Sequence, residues 1–280
     1  MAVLRTVLGI VLGIQLSFAQ MPDSGARADE LLARWHRVRQ LVVDGALGQD
    51  QRREAAMVLV QGQFLANFDA SHDPQFAEWV ESAAGSRQDV RLRLAGALAD
   101  LDAPGDRFAG RRGSFFSAYT STMDGSGQIY SLYVPETYDP TEAHALELRP
   151  PSNLKFREPV EFTGAHIVAV CQGRGIEGLG ELDAREVLLD VSTHYNIDPD
   201  RVYLSGGSIG GGAVWRMLGR YPDLFAAARI DYGWTWGTSR LFLENASNVP
   251  ISIYHAADDV WVPVEESRAA VRFLADLGSP

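Results

Sequence analysis

The chain has 280 residues, 46% of them apolar and 22% charged, a balance that supports a packed core and argues against disorder. Its 25 Lys and Arg stand against 36 Asp and Glu, a formal net charge of −11. That sign argues against nucleic acid or an anionic membrane surface as a partner, and it selects no substrate.

The chain opens like an export signal. Arg5 supplies a positive charge, Thr6 to Leu16 form an apolar run, and Ser17 to Ala19 offer small residues for cleavage. The run is shorter than the roughly 20 residues that span a bilayer. Residues 1–19 are therefore expected to be a signal peptide, with the mature protein secreted or periplasmic and in no stable membrane association. Cys171 is the single cysteine, which leaves no internal disulfide and no cysteine-based zinc framework. Ending the apolar run from His166, it reads as a small buried hydrophobe rather than a nucleophile.

Residues 20–105 read as a helical region. Leu31, Leu32, Trp35, Val38, Leu41 and Val42 recur at helical spacing, and Gly45 to Gln49 interrupt them. Helical patterning resumes from Arg52 to Phe68, Pro74 to Ala84 and Asp89 to Leu101. His36 and His72 stand alone here, and no chemical constellation is visible.

The texture changes near Gly105. Ser114 to Thr122 and Gln128 to Val134 alternate around Asp124 to Gly127, which predicts a hairpin. Short apolar runs then alternate with helical stretches. Strands are predicted at Ala145–Leu148, His166–Cys171, Arg201–Leu204, Ala226–Tyr232 and Pro250–Tyr254. Helices are predicted at Glu181–Tyr195, Gly210–Tyr221 and Val264–Leu277. This order predicts a mainly parallel sheet with helices on both faces.

Gly206-Gly207-Ser208-Ile209-Gly210 reads Gly-x-Ser-x-Gly between a predicted strand and a predicted helix. That context is what a nucleophile elbow requires. A sharp strand-to-helix turn brings the residues two before and two after the nucleophile into contact, so both must be small. The turn would expose Ser208 Oγ and set the Ile209 N–H at a helix start, as an oxyanion donor.

The run from Tyr195 to Leu204, the elbow, and Trp215 to Ala226 together resemble secreted α/β-hydrolases. The prolyl-oligopeptidase-like and the polyhydroxybutyrate-depolymerase- or feruloyl-esterase-like groups are the nearest in pattern. The resemblance extends over residues 124–278 and includes Asp124-Gly125, Tyr133 to Pro140 and Gly173 to Gly175. It implies acyl transfer through a Ser208 acyl-enzyme, on a small-molecule ester or acyl substrate and without cofactor or metal. Pro250 to Pro263 resembles the family's His-Gly-x-x-Asp-x-x-Val-Pro motif, with Ala256 in place of the Gly. That alignment implies Asp259 as the triad acid, with Asp258 beside it.

Two features depart from the family. Its triad runs Ser, Asp, His along the chain, and no His follows Asp259. The expectation is an α/β-hydrolase domain over 106–280 that is C-terminally incomplete, lacking its last strand and His loop. Loss of catalysis is a second reading, and His255 acting as base with Asp231 a third. The second departure is in the loop after Ala145–Leu148, where Pro150 and Pro151 have no N–H to donate. A second oxyanion donor would come from Arg149, Ser152 or Asn153.

Other functions compete. Gly173 to Gly178 matches G-x-G-x-x-G after a strand, with Asp190 and Asp198 downstream, the outline of a dinucleotide site. The export signal and its late place in the sheet oppose that reading. A binding module could use Trp234, Trp236 and Trp261. A serine peptidase shares the elbow chemistry, although the lack of a propeller-length N-terminal domain favours an esterase.

Overall fold

The computed structural model describes residues 27–70, 74–151, 159, 161–172, 174, 179–235 and 237–279. The expected signal at 1–19 and His72 lie outside them. So do Ser152 and Asn153, Gly173 and Gly175 to Gly178 of the glycine motif, and Trp236.

Among the described residues four α-helices come first: α1 (Ala28–Val43), α2 (Arg52–Ala70), α3 (Pro74–Ala84) and α4 (Arg87–Asp102). Leu31, Trp35 and Val38 are the buried stripe of α1, spaced as one helical face demands. The helix stops at Asp44, and Gly45 turns away at φ 65°, a conformation that glycine takes without strain. Ser86 caps α4: its Oγ accepts the Asp89 N–H at 3.2 Å, while Asp89 accepts the Ser86 N–H at 3.1 Å. Gly62 lets α1 cross α2, since a Cβ there would sit 2.2 Å from the Trp35 ring. Leu31, Val58, Leu65, Leu94 and Leu98 share the apolar cluster beneath.

The predicted hairpin is β1 (Gly113–Thr120) and β2 (Gly127–Val134), antiparallel from Gly113 opposite Val134 to Thr120 opposite Gly127. Asp124 Oδ1 accepts the Ser126 N–H at 3.0 Å and Gly125 takes φ 69° to close it. Gly127 also seats the hairpin on α2, where a Cβ would meet the Ala56 carbonyl at 2.4 Å.

Beyond it come β3 (His144–Arg149), β4 (Ile167–Cys171), α5 (Leu179–His194), β5 (Ile197–Gly207), α6 (Ile209–Arg220), β6 (Ala227–Asp231), β7 (Ile251–Tyr254) and α7 (Val264–Asp276). The seven strands lie in the order β1-β2-β4-β3-β5-β6-β7. β2 meets β4 antiparallel, and every pairing from β4 to β7 is parallel. β5 begins earlier than the sequence suggests, running through Asp198-Pro199-Asp200. The register with β3 shifts between His144 and Leu146, an irregularity at the level of the proline. A stretch of 3-10 turns, Gly237–Asn248, which the sequence reading left unassigned, joins β6 to β7.

The sheet lies between unlike layers. Leu146, Leu148, Val202, Leu204 and Ile230 are buried with Val187, Val191, Val214 and Met217 of α5 and α6. α2 lies on the other side, against the hairpin. The buried Glu181 binds Arg216 at 3.1 Å and Arg220 at 2.5 Å, tying α5 to α6. Cys171 is buried, with burial holding its thiol well above the usual range. Among the described residues no helix is long and apolar enough to cross a membrane.

Candidate active site

In a parallel sheet the loops leaving the carboxyl ends of the strands converge on one rim. Gly207 of β5 stands opposite Asp231 of β6, which stands opposite Tyr254 of β7. Ser208, Tyr232 and the His255–Pro263 segment therefore leave three adjacent strands at one level. Strand spacing puts the start of the Asp259 loop on the order of 10 Å from the elbow.

Ser208 sits at φ 53°, ψ −121°, a region that a residue with a Cβ enters only where its surroundings compel it. The compulsion is steric. A Cβ on Gly206 would lie 2.6 Å from the Gly210 carbonyl oxygen, and one on Gly211 would lie 2.7 Å from Gly233 Cα. The Ser208 N–H donates to the Asp231 carbonyl at 2.9 Å, and its own carbonyl accepts from Gly212 at 3.1 Å. Ser208 is exposed, and among the described residues its hydroxyl makes no hydrogen bond. Ile209 is the first residue of α6, the position at which helix N–H groups lack intrahelical partners.

Asp259 is held differently. Its Oδ1 accepts the Trp261 N–H at 2.8 Å and the Val262 N–H at 2.9 Å. The Val262 and Trp261 donors, with His255 nearby, hold the carboxyl below the usual carboxylate range. Asp258 beside it is exposed. His255 is fixed inside the same loop. Its Nε2 lies 2.8 Å from the Val262 carbonyl, which can only accept, so that nitrogen donates. Its Nδ1 lies 2.7 Å from Ser267 Oγ, and Nε2 is 3.5 Å from Asp259 Oδ2.

The reading of His255 as base with Asp231 therefore fails on geometry. The ring is occupied by Val262 and Ser267, and the Asp231 carboxylate is paired with Arg229 at 3.0 Å. The remaining described histidines are committed elsewhere or remote. His144 binds Asp139, His166 binds Glu147, His194 binds Asp190, and His36 lies against Trp35.

Tyr232 is the site feature that the sequence reading missed. It is the one other non-glycine residue at positive φ among those described, at 43°. Its ring covers the elbow backbone, the hydroxyl lying 3.0 Å from where a Gly207 Cβ would be. Its only sequence signal is the adjacent Gly233, which packs against Gly211. The tryptophans do not form one wall. Trp234 packs over Gly212, with Nε1 3.1 Å from a Cβ built there, and Trp261 is 90% exposed.

A cavity of about 910 Å³ opens on the sheet face opposite α6. Glu147, Arg149, His166, Ser205 and Arg229 line it, together with Gly206, Gly207 and Tyr232, but not Ser208 or Asp259. Burial pushes the Glu147 carboxyl up, yet the bonds from Ser205 at 2.5 Å and Arg149 at 2.7 Å outweigh it and hold the carboxyl below its ordinary range. Among the described residues no group of three or more His, Cys, Asp or Glu is placed to hold a metal ion.

No protein-family model matches the chain. It is similar to two curated proteins of Arabidopsis thaliana. A probable carboxylesterase SOBER1-like is 31% identical over 94 residues, 32% of this chain and 36% of that protein. Carboxylesterase SOBER1 is 30% identical over 94 residues, 32% of this chain and 41% of that protein. The chain thus spans about two fifths or less of the length of the curated relatives it matches. Among solved structures, a thermostable esterase is similar at 23% identity with a TM-score of 0.47, over 59% of this chain and 52% of that one. Oligopeptidase B from Leishmania major is similar at 14% identity with a TM-score of 0.48, over 58% of this chain and 31% of that one. An antiparallel hairpin leading into a parallel sheet, with a strained serine between β5 and α6 and helices on both sides, is the α/β-hydrolase fold.

Proposed function

We propose that the protein is an exported serine hydrolase of carboxylic esters, with Ser208 as its nucleophile. The observation that carries this reading is the backbone of Ser208, strained, exposed and enforced by glycine contacts on both sides. Strain of that kind persists where the surroundings over-determine it, and it clusters at sites of chemistry. The similarity to two carboxylesterases favours esters over peptides.

In this reading Ser208 Oγ attacks the acyl carbon as its proton passes to an imidazole. The Ile209 N–H stabilises the oxyanion, the alcohol leaves with that proton, and water then releases the acid from Ser208. Asp259, already favoured as an anion, orients the imidazole. No described histidine occupies the place between Ser208 and Asp259, so the imidazole is the part that the described residues do not supply. Residues 20–105 serve as a packing layer apart from this chemistry, and residues 1–19 direct export.

Hydrolysis of p-nitrophenyl butyrate, set beside a peptide p-nitroanilide, with and without free imidazole, tests the proposal. A Ser208→Ala control subtracts the imidazole background. Ser208-dependent ester turnover that imidazole raises supports the esterase. Preferred cleavage of the anilide would favour the peptidase, and equal rates in wild type and Ser208→Ala would favour a binding module.

A further inference from the structure

We infer that Tyr232 is a specificity-determining residue whose hydroxyl binds a hydroxyl group on the alcohol part of the ester, a role that rests on Ser208 being the nucleophile. Tyr232 leaves β6, which lies between β5, carrying the elbow, and β7, carrying the Asp259 loop. Backbone bonds fix it there. The Asp231 carbonyl accepts the Ser208 N–H at 2.9 Å, and the Tyr232 N–H donates to the Tyr254 carbonyl at 2.7 Å. In ester hydrolysis the base that takes the serine proton returns it to the departing alcohol. With Asp259 orienting that base, the alcohol leaves on the side of Ser208 that faces β7. Tyr232 stands on that side.

The phenol is placed for contact. Its hydroxyl and Cζ lie 3.0 and 3.1 Å from where a Gly207 Cβ would be, so the ring rests over the residue that precedes Ser208. Tyr232 is nevertheless 41% exposed, and among the described residues its hydroxyl has no hydrogen-bond partner. A hydroxyl of this kind can donate and accept, and here it is uncommitted beside the nucleophile.

The neighbouring cavity sets the class of alcohol. Tyr232, Gly206 and Gly207 line the cavity of about 910 Å³ together with Glu147, Arg149, His166, Arg229 and Asp231. Each carboxylate there is answered. Glu147 is met by Arg149 at 2.7 Å and His166 at 3.1 Å, and Asp231 by Arg229 at 3.0 Å. A lining of matched pairs selects neither an anion nor a cation. Its polar atoms favour a neutral alcohol that carries hydroxyl groups, because an alkyl chain would take water from them and return no hydrogen bond.

Monobutyrylglycerol and pentyl butyrate, esters of equal size that differ in the hydroxyls of the alcohol, test this role. Ser208→Ala leaves both esters intact, so a ligand-observed NMR titration of that full-length variant reads binding alone. The glycerol ester is expected to bind about three- to tenfold more tightly, the worth of one neutral hydrogen bond. Turnover by the wild type in free imidazole should show the same preference, carried by KM rather than kcat. Tyr232→Phe keeps the ring and loses only the hydroxyl, and it should bring the ratio of the two esters to about one in both measurements. Gly207→Ala, whose methyl displaces the phenol, should lower the ratio in the same direction. Damage to the fold would weaken both esters alike and leave the ratio where it was, and thermal melts confirm that each variant folds. A ratio of one or less before Tyr232 is altered, a ratio that survives Tyr232→Phe, or no binding of either ester would overturn the role of Tyr232. Ser208-dependent turnover of p-nitrophenyl butyrate would then leave the nucleophile standing. A hydroxyl preference that Tyr232→Phe abolishes, with no Ser208-dependent turnover of any ester, would instead uphold the Tyr232 contact and overturn the nucleophile.

Discussion

The elbow and the acid loop hold their side chains by opposite means. Ser208 is forced into place by backbone crowding, its hydroxyl free and its φ at 53°. Asp259 is drawn into place by two backbone N–H donors, at no steric cost and with its negative charge favoured. A nucleophile must be free to react, so geometry alone can constrain it. A group that orients another by its charge gains from being hydrogen-bonded in its charged state. The two parts of the proposed site should therefore fail differently when altered.

The largest effect is expected at the elbow. Gly211→Val would drive a side chain into the Gly233 backbone, where a Cβ alone already comes within 2.7 Å. Overpacking against backbone costs about 3 kcal/mol or more, and thermal melting should show a Tm lowered by ~6–12 °C or no folded protein. A melt within 2 °C of wild type, to order of magnitude, would mean that crowding does not set the elbow.

A second carboxylate sharpens the contrast. Asp183 is fully buried, its Oδ1 accepts from the Tyr119 hydroxyl, and its Oδ2 has no partner. Burial raises its carboxyl to about 7, assisted by Glu186 and opposed only in part by the Tyr119 bond and Arg174. A raised carboxyl stabilises the fold below its unfolded value near pH 4 and loses that contribution as pH rises through about 7. The loss reaches as much as ~4 kcal/mol by pH 8. Asp259 runs the other way, stabilising above the unfolded range and losing its contribution as pH falls through its depressed folded value. Denaturant melts across pH 4–8 should show the first trend in wild type, and Asp183→Asn should flatten it.

A smaller change is expected from Asp259→Ala, which strands the Trp261 and Val262 N–H groups and should cost about 1–2 kcal/mol in urea unfolding. Asp259→Asn keeps an acceptor and should recover most of that stability, yet it should still slow Ser208 acylation in imidazole. Equal acylation by wild type and Asp259→Asn would remove Asp259 from the triad. The smallest effect on folding belongs to Tyr232→Asn, since Asn tolerates positive φ. Stability should change by less than about 1 kcal/mol in urea, while ester KM rises if the ring over Gly207 positions substrate.

Much of this was legible in the chain, for identifiable reasons. Alternation of aromatic and β-branched residues marked the hairpin, and glycines at 206 and 210 marked the elbow, where a Cβ on Gly206 would lie 2.6 Å from the Gly210 carbonyl oxygen. The start of β5 was hidden by Asp198-Pro199-Asp200, which carries the composition of a turn but lies beside an irregular stretch of β3. Tyr232 gave no signal beyond the glycine that follows it, because nothing in an aromatic residue announces a positive φ that its neighbours impose. His255 looked available by spacing. Its ring was already bound by Val262 and Ser267, partners that spacing does not show.

The most direct measurement of the central claim is covalent labelling by a fluorophosphonate probe in the presence of free imidazole, followed by peptide mapping. One label per chain on Ser208, absent from folded Ser208→Ala, is the predicted result. Folded protein that stays unlabelled, or carries its label on another residue, would contradict the assignment of Ser208 as nucleophile.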